Sequence, residues 1–158
     1  MYNMKQIIKL LLWAAVVAVM VIIFSFSTQP AKQSNDVSEG VTRIIVDSNP
    51  NTKDLPEQEK ENIVIDYNKI IRKYAHFTLF LLLGLLSALA FMITFNKTWD
   101  VKIWLATLVF CLAYAISDEV HQIFVDGRGA EIKDVLTDFS GSFIGSLAVL
   151  IIKKIKSK

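Results

Sequence analysis

Four long apolar segments constrain the fold of this chain more than any other feature. They cover residues 7–26, 74–95, 101–124 and 134–152. The first segment is about 20 residues long and carries no charge after Lys9, and at a rise of ~1.5 Å per residue it spans a ~30 Å hydrocarbon core. We therefore predict an all-α integral membrane protein with four transmembrane helices. The alternative is a soluble four-helix globule with unusually apolar helices.

The length of the chain predicts a single membrane domain over residues 1–158. The first segment also has an alternative interpretation as a secretory signal peptide, because Lys5 and Lys9 lie at its start and Ser25-Phe26-Ser27 follows a small-x-small pattern. Its apolar run exceeds the ~7–15 residues of a typical signal-peptide core, which favours a retained helix.

The connection between the first two segments, residues 27–73, has a helical pattern of its own. Asp54 can cap a helix that begins after Pro56. Apolar residues from Ile63 to Tyr74 then follow helical spacing, opposite a set of acidic residues. This predicts an amphipathic helix that lies on the membrane surface before the chain turns inward.

Basic residues indicate the orientation, since cytoplasmic loops are enriched in lysine and arginine. Four spans place both termini on one side of the membrane. The total numbers of basic residues on the two sides do not discriminate, but the lysine-rich tail 153–158 and the short turn 96–100 favour cytoplasmic termini. We predict a multi-pass protein of the bacterial cytoplasmic membrane with the connection 27–73 outside.

Polar and ionisable residues gather at the ends of three predicted spans. Antiparallel packing brings these ends to the outer face, where such residues usually face the bundle interior and mark a functional site. They are His76 in the second segment, Asp118, Glu119, His121 and Gln122 in the third, Arg128 in the loop, and Asp134 and Asp138 in the fourth. Together with Arg72, the residues His76, Gln122, Arg128, Asp134 and Asp138 form the candidate ligand-binding set.

This polar cluster is compatible with three kinds of chemistry. Glu119, His121 and Asp118 are candidate catalytic residues, because adjacent carboxylates can divide acid and base roles and histidine can shuttle protons. No cofactor motif is evident, yet a divalent metal would find ligands of the right type, and Glu119 would then activate water. The candidate ligands are His76, Asp118, His121, Asp134 and Asp138, although the Asp118-x-x-His121 spacing matches no recognised metal motif.

A structural ion-pair network is the third interpretation of the same residues. Arg128 would pair with Asp118 or Glu119, and Asp134 would cap the fourth span. Asp138 would bond Gln122 or His76. Arg128 has a further option, because an arginine in a tight turn can bind a phosphate through two parallel hydrogen bonds.

Glycines indicate which face of the fourth span packs inward. Gly141-x-x-x-Gly145 shares a helix face with Asp134 and Asp138 at about 100° per residue. Small residues at this spacing permit close approach of two membrane helices. The two carboxylates therefore belong to the interior face.

These motifs, in this order, resemble the VanZ-like family of small bacterial membrane proteins, and the resemblance covers essentially the whole chain. Two departures are that Asp126-Gly127 precede Arg128, where the family often has proline and then glycine, and that Asp138 stands where asparagine is common. The matching elements are Ser27-Thr28-Gln29-Pro30, Arg72-Lys73-x-x-His76-Phe77, Asp118-Glu119-x-His121-Gln122-x-Phe124-x-x-x-Arg128, and Asp134-Val135-x-x-Asp138-x-x-Gly141-x-x-x-Gly145.

The resemblance implies a role in the cell envelope that lowers susceptibility to the glycopeptide antibiotic teicoplanin. We expect the outer polar pocket to bind a lipid headgroup, a lipid-linked cell-wall precursor or the antibiotic. The alternatives are an enzyme, with or without a metal, acting on a lipid-linked substrate, and a small transporter subunit. The expected partners are membrane lipids and not nucleic acid, because the net charge is only +2 and no basic stripe is present. Cys111 is the only cysteine, which excludes an internal disulfide.

Overall fold

The computed structural model describes residues 3–97 and 100–156, without the side chains of residues 31–38, 69 and 156. The described chain is all-helical, as predicted. The lysine-rich tail 153–158, which was used to predict the orientation, extends beyond the described residues. The five helices are α1 (Met4–Ser27), α2 (Ala31–Ser48), α3 (Glu57–Thr94), α4 (Val101–Gln122) and α5 (Ile132–Lys156). Four of them, α1, α3, α4 and α5, are long and apolar enough to cross a membrane, which confirms the predicted fold class.

Local signals set several helix ends. Asn3 and Gln6 form a capping box at the start of α1. The carboxylate of Asp100 caps α4 by accepting a 2.8 Å hydrogen bond from the backbone nitrogen of Lys102. The side chain of Lys97 pairs with the same carboxylate. Asn96 follows α3 with a φ of 53°, in the left-handed region that asparagine tolerates better than most residues.

Helix α3 differs from its predicted form. Its 38 residues correspond to about 57 Å of helix, almost twice the ~30 Å thickness of a hydrocarbon core. The predicted turn between a surface helix and the second span is therefore wrong. Neither glycine nor proline occurs between Pro56 and Gly84, so nothing in this stretch interrupts the helix. The polar N-terminal half of α3 projects beyond the apolar half.

Helix α2, which was not predicted, packs against the projecting half of α3. Val46 and Val64 are buried in this helical hairpin. Arg43 pairs with Glu39 at 3.0 Å along α2 and with Glu61 on α3. A second pair joins the two helices, between Lys60 and Asp47 at 3.1 Å. Apolar packing and ion pairs thus join α2 to the projecting half of α3.

Helices α3 and α5 approach each other very closely. A Cβ atom placed on Gly84 would lie 2.2 Å from the carbonyl oxygen of Ser142. On α5, a Cβ on Gly141 would lie 2.5 Å from the oxygen of Phe77, and one on Gly145 would lie 2.0 Å from the oxygen of Leu81. The predicted close approach through Gly141 and Gly145 is found here, and it sets α5 directly against the helix that carries His76.

Helices α1 and α4 complete the core beside α3. Ile23, Phe80 and Cys111, one from each helix, are fully buried in one apolar cluster. Across this cluster, the hydroxyl of Tyr114 donates a 2.6 Å hydrogen bond to the carbonyl oxygen of Met20. The C-terminal ends of α1 and α4 are thereby held side by side, next to the start of the membrane part of α3.

Candidate functional site

A polar cavity of about 370 Å³ opens between α3, α4, α5 and the loop that joins α4 to α5. It lies at the level where the projecting half of α3 meets the apolar half. The helix ends that were predicted to meet do so here. The lining consists of Ile65, Arg72, Lys73, His76, Glu119, Gln122, Gly127, Arg128, Gly129, Glu131, Asp134, Thr137 and Asp138.

Three basic side chains lie on the cavity wall. Lys73 pairs with Asp134 and lies 3.6 Å from a carboxylate oxygen of Glu131. Arg72 lies near enough to Arg128 for the two charges to interact. Burial lowers the pKa of Arg128 from its ordinary value, and the charge of Arg72 lowers it further, although an arginine stays protonated at neutral pH. The same lining also carries four carboxylates, so the three cations face acidic groups across the cavity. The four are Glu119, Glu131, Asp134 and Asp138.

Arg128 forms a bond that the sequence did not indicate. Its Nη2 donates a 3.0 Å hydrogen bond to the carbonyl oxygen of Phe26, at the end of α1. Its Nε is buried and has no hydrogen-bond partner in the described part of the chain. Within that part Arg128 also makes no ion pair shorter than 4.0 Å, so the expected pairing with Asp118 or Glu119 is not formed. Gly127, with a φ of 73°, makes the turn that presents this arginine.

Asp118 is almost completely buried, with an exposure of 3%. Its Oδ2 accepts hydrogen bonds from the hydroxyl of Ser27 at 2.7 Å and from Nε2 of Gln122 at 3.1 Å. Its Oδ1 has no hydrogen-bond partner among the described residues. The sequence places Ser27 in a motif and in a small-x-small pattern, but neither marks it as a site residue. Its one signal was a small hydroxyl at the polar end of the first span.

Glu119 is also buried, but it faces the cavity. Its Oε1 accepts a 2.6 Å hydrogen bond from the backbone nitrogen of Glu131. This bond ties the α4–α5 loop to the end of α4. Glu131 contributes through its main chain, and such a contact leaves no pattern in a sequence.

His76 and Asp138 face each other across the α3–α5 contact. Nδ1 of His76 lies 3.9 Å from Oδ2 of Asp138. One potential ligand atom from each of His76, Asp118 and Asp138 lies within 4.8 Å of the other two. Three of the five candidate metal ligands are thus gathered at one place.

The other two candidate ligands lie elsewhere. Asp134 is engaged by Lys73. The ring of His121 lies against Phe24 of α1, with centroids 4.5 Å apart and an interplanar angle of 32°. Its Nε2 is buried without a hydrogen-bond partner among the described residues. Of the three candidate catalytic residues, Glu119 lines the cavity, Asp118 is held by Ser27 and Gln122, and His121 packs on α1.

This arrangement combines three basic side chains with buried carboxylates and an imidazole. Arg72, Lys73 and Arg128 supply donors for a phosphate or carboxylate group. Glu119 places a carboxylate on the cavity wall, and a carboxylate in such a position can exchange a proton with a bound group. The geometry supports recognition of an anionic ligand and leaves room for acid–base chemistry upon it.

Comparison with known proteins agrees with the motifs. The sequence model of the VanZ/LLP1 family matches residues 12–153, a range that includes every residue lining the cavity. No curated protein and no solved structure matches the chain. The family match covers nearly the whole chain and accompanies four helices able to span a membrane. The chain therefore belongs to the VanZ/LLP1 family and is a multi-pass membrane protein.

Proposed function

We propose that this protein binds the anionic headgroup of an envelope lipid or lipid-linked cell-wall precursor in the cavity beside Arg128. Through this binding it lowers susceptibility to teicoplanin-type glycopeptides. A headgroup held in the cavity is withdrawn from the antibiotic. The proposal places the cavity at the outer face of the cytoplasmic membrane, with both termini inside.

The observation that carries the proposal is the incomplete bonding of Arg128. A buried donor without a partner costs about 1–3 kcal/mol, and more when it is charged. The guanidinium uses one donor on Phe26 and keeps Nε for another acceptor. A phosphate group is a strong acceptor for arginine, because two of its oxygens can accept two parallel hydrogen bonds.

The position of the cavity also suits a headgroup. It lies at the ends of spanning helices, where lipid headgroups are found, and Lys73 and Arg72 add positive charge on the same wall. Ile65, on the projecting half of α3, adds an apolar surface at the same opening. A ligand with a charged head and an apolar tail would therefore contact basic side chains with its head and Ile65 with its tail.

The test compares teicoplanin and vancomycin susceptibility in a sensitive Gram-positive host at equal membrane abundance of each variant. Arg128→Gln should abolish protection against teicoplanin, and Arg128→Lys should restore only part of it, because lysine cannot bind bidentately. Lys133→Gln is the matched control, since Lys133 is an exposed cation on α5 that does not line the cavity. Equal protection by all variants would contradict the proposal, and so would a lack of protection by the wild type.

The ligand is identified in parallel by mass spectrometry of lipids that copurify with the protein. Phosphate-bearing lipids should accompany the wild type and the Lys133→Gln variant and be depleted from Arg128→Gln. Direct binding of teicoplanin to lipid-free protein, with no dependence on Arg128, would identify the antibiotic itself as the ligand and overturn the headgroup proposal.

A second candidate function is an enzyme acting on the bound lipid-linked substrate. The observation that favours it is Glu119, a buried carboxylate on the cavity wall that is oriented by the backbone of Glu131. Glu119 would act as the base and Asp118 as its partner, whereas His121 lies outside the described lining. The two functions differ in what Glu119→Gln does. A binding protein keeps its protection, and an enzyme loses protection while the lipid still copurifies.

A further inference from the structure

We infer that His76, Asp118 and Asp138 form a binding site for one divalent transition-metal ion. The three residues come from α3, α4 and α5, and one ligand atom of each lies within 4.8 Å of the others. The inference does not depend on headgroup binding, because it involves none of the three basic residues of the cavity wall.

The three ligand atoms lie at most 4.8 Å apart, which is within side-chain movement of a metal site. Ligand atoms ~2.1 Å from a metal are separated by roughly 3.0–3.4 Å when the angle between them is about 90–109°. Nδ1 of His76 and Oδ2 of Asp138 are 3.9 Å apart. A contraction of less than about 1 Å, which side-chain rotation supplies, brings such a pair onto a common ion.

Asp118 provides independent support. Its Oδ2 is occupied by Ser27 and Gln122, while Oδ1 is buried without a hydrogen-bond partner in the described structure. Burying an unpaired carboxylate oxygen is costly, and coordination to a metal is one of the few ways to offset that cost. The bonds from Ser27 and Gln122 also resemble the outer hydrogen bonds that orient a metal-binding carboxylate.

The charge balance points the same way. Asp118 and Asp138 are both about 95% buried or more and lie near each other. Two of the described cations nearby are bonded to other groups, since Lys73 pairs with Asp134 and Arg128 donates to Phe26. A divalent ion held between Asp118 and Asp138 would neutralise both carboxylates.

The donor set indicates the class of metal. One imidazole nitrogen with two carboxylate oxygens is a mixed ligand set that suits Zn²⁺ and Mn²⁺ better than Mg²⁺ or Ca²⁺, which prefer oxygen alone. His76 and Asp138 both line the cavity. Three coordinating side chains leave at least one position on the metal open. That position would face the cavity and take a water molecule or an oxygen of a molecule bound there.

The test uses the full chain, purified in detergent and stripped with a chelator. Mn²⁺ is titrated alone and followed by electron paramagnetic resonance, and Zn²⁺ is then added as a competitor. We expect one Mn²⁺ per chain, displaced by one Zn²⁺. Absence of saturable binding at one ion per chain for both metals would overturn the inference.

Variants locate the site. Asp138→Asn keeps the shape of the side chain and should weaken Mn²⁺ binding at least about tenfold, a loss seen even when outer partners of metal ligands are changed. Asp134→Asn removes the same charge from the same cavity and should stay close to the wild type. Equal weakening by the two variants would indicate general electrostatic attraction and contradict the site.

Further controls separate folding failure and headgroup binding from metal binding. Each variant must elute as a single species with wild-type helical content, and His76→Gln serves as a second ligand change. Arg128→Gln should bind Mn²⁺ normally even when it has lost its lipid. Loss of Mn²⁺ binding in a folded Arg128→Gln variant would place the ion on the lipid phosphate and refute a site formed by the protein alone.

Discussion

Ser27 at the end of α1 donates a 2.7 Å hydrogen bond to Asp118 near the end of α4, across 91 positions of the sequence. Both residues are buried. The bond joins the first span to the helix that carries most of the candidate site residues, and it occupies one oxygen of a carboxylate whose other oxygen has no described partner. The end of α1 is thus part of the site, although it does not line the cavity.

The first prediction tests this bond. Ser27→Ala should destabilise the protein by about 1–3 kcal/mol, because a buried carboxylate oxygen loses a donor. The measurement is thermal unfolding in detergent. Ser25→Ala is the control, since the Ser25 hydroxyl is exposed and bonds only its own helix at Val21. An unchanged midpoint for Ser27→Ala would show that Gln122 alone satisfies this oxygen.

The second prediction concerns the contact between α3 and α5. Gly145→Ala should destabilise the fold by about 1–3 kcal/mol or more, because its Cβ would lie 2.0 Å from the backbone oxygen of Leu81 and the helices would have to separate. Gly40→Ala has no atom within 4 Å of the added Cβ and should be neutral or slightly stabilising, since alanine favours helix. Unfolding midpoints in the same detergent compare the two, and equal midpoints would refute the tight contact.

The third prediction separates binding from catalysis at Glu119. Glutamine keeps a side-chain oxygen that can accept the hydrogen bond from the Glu131 backbone, so the loop should stay in place. We expect Glu119→Gln to retain protection against teicoplanin, measured as the minimum inhibitory concentration at matched abundance. Loss of protection with retained lipid would instead establish the enzymatic alternative.

The fourth prediction concerns His121. Its ring packs against Phe24 and lies outside the described cavity lining. His121→Ala should therefore lower thermal stability through lost ring contact and leave teicoplanin protection intact in the protein that remains folded. His121→Phe should recover most of the stability, because a second aromatic ring can restore the packing. Loss of protection in a stable His121→Phe variant would give the imidazole a functional role.

The fifth prediction addresses the hairpin of α2 and α3. Arg43→Gln should change stability by less than about 1 kcal/mol, because exposed ion pairs contribute little. Val64→Asp should release α2 from α3, because it places a carboxylate in the buried contact. Limited proteolysis in the connection 49–56 should be faster for Val64→Asp and unchanged for Arg43→Gln. Equal cleavage rates would mean that charge, and not apolar packing, holds the hairpin.

The sequence was sufficient to predict the four spans and the meeting of three polar helix ends, because span length and antiparallel order determine both. It was not sufficient for the orientation of His121. At about 100° per residue, His121 lies roughly 160° from Glu119 around the helix, so a rotation that turns Glu119 and Gln122 to the cavity turns His121 away from it. Small differences in helix rotation decide between them, and such rotations are set by packing.

The form of α3 was missed for a related reason. The change at Tyr74 from an amphipathic to a wholly apolar pattern suggested a turn. A helix can, however, pass from one environment into another without bending. No residue in this stretch breaks a helix, and α2 covers the projecting half. The contact of Ser27 with Asp118 was equally hidden, since it depends on how two helices distant in sequence are placed in space.

The unbroken course of α3 has a mechanical consequence. One stiff rod carries the Val64 surface of the hairpin at one level and Arg72, Lys73 and His76 at the next. A force that tilts the hairpin must therefore displace these cavity residues as well, because no joint lies between them. Movement of the hairpin and the width of the cavity are therefore coupled through a single helix.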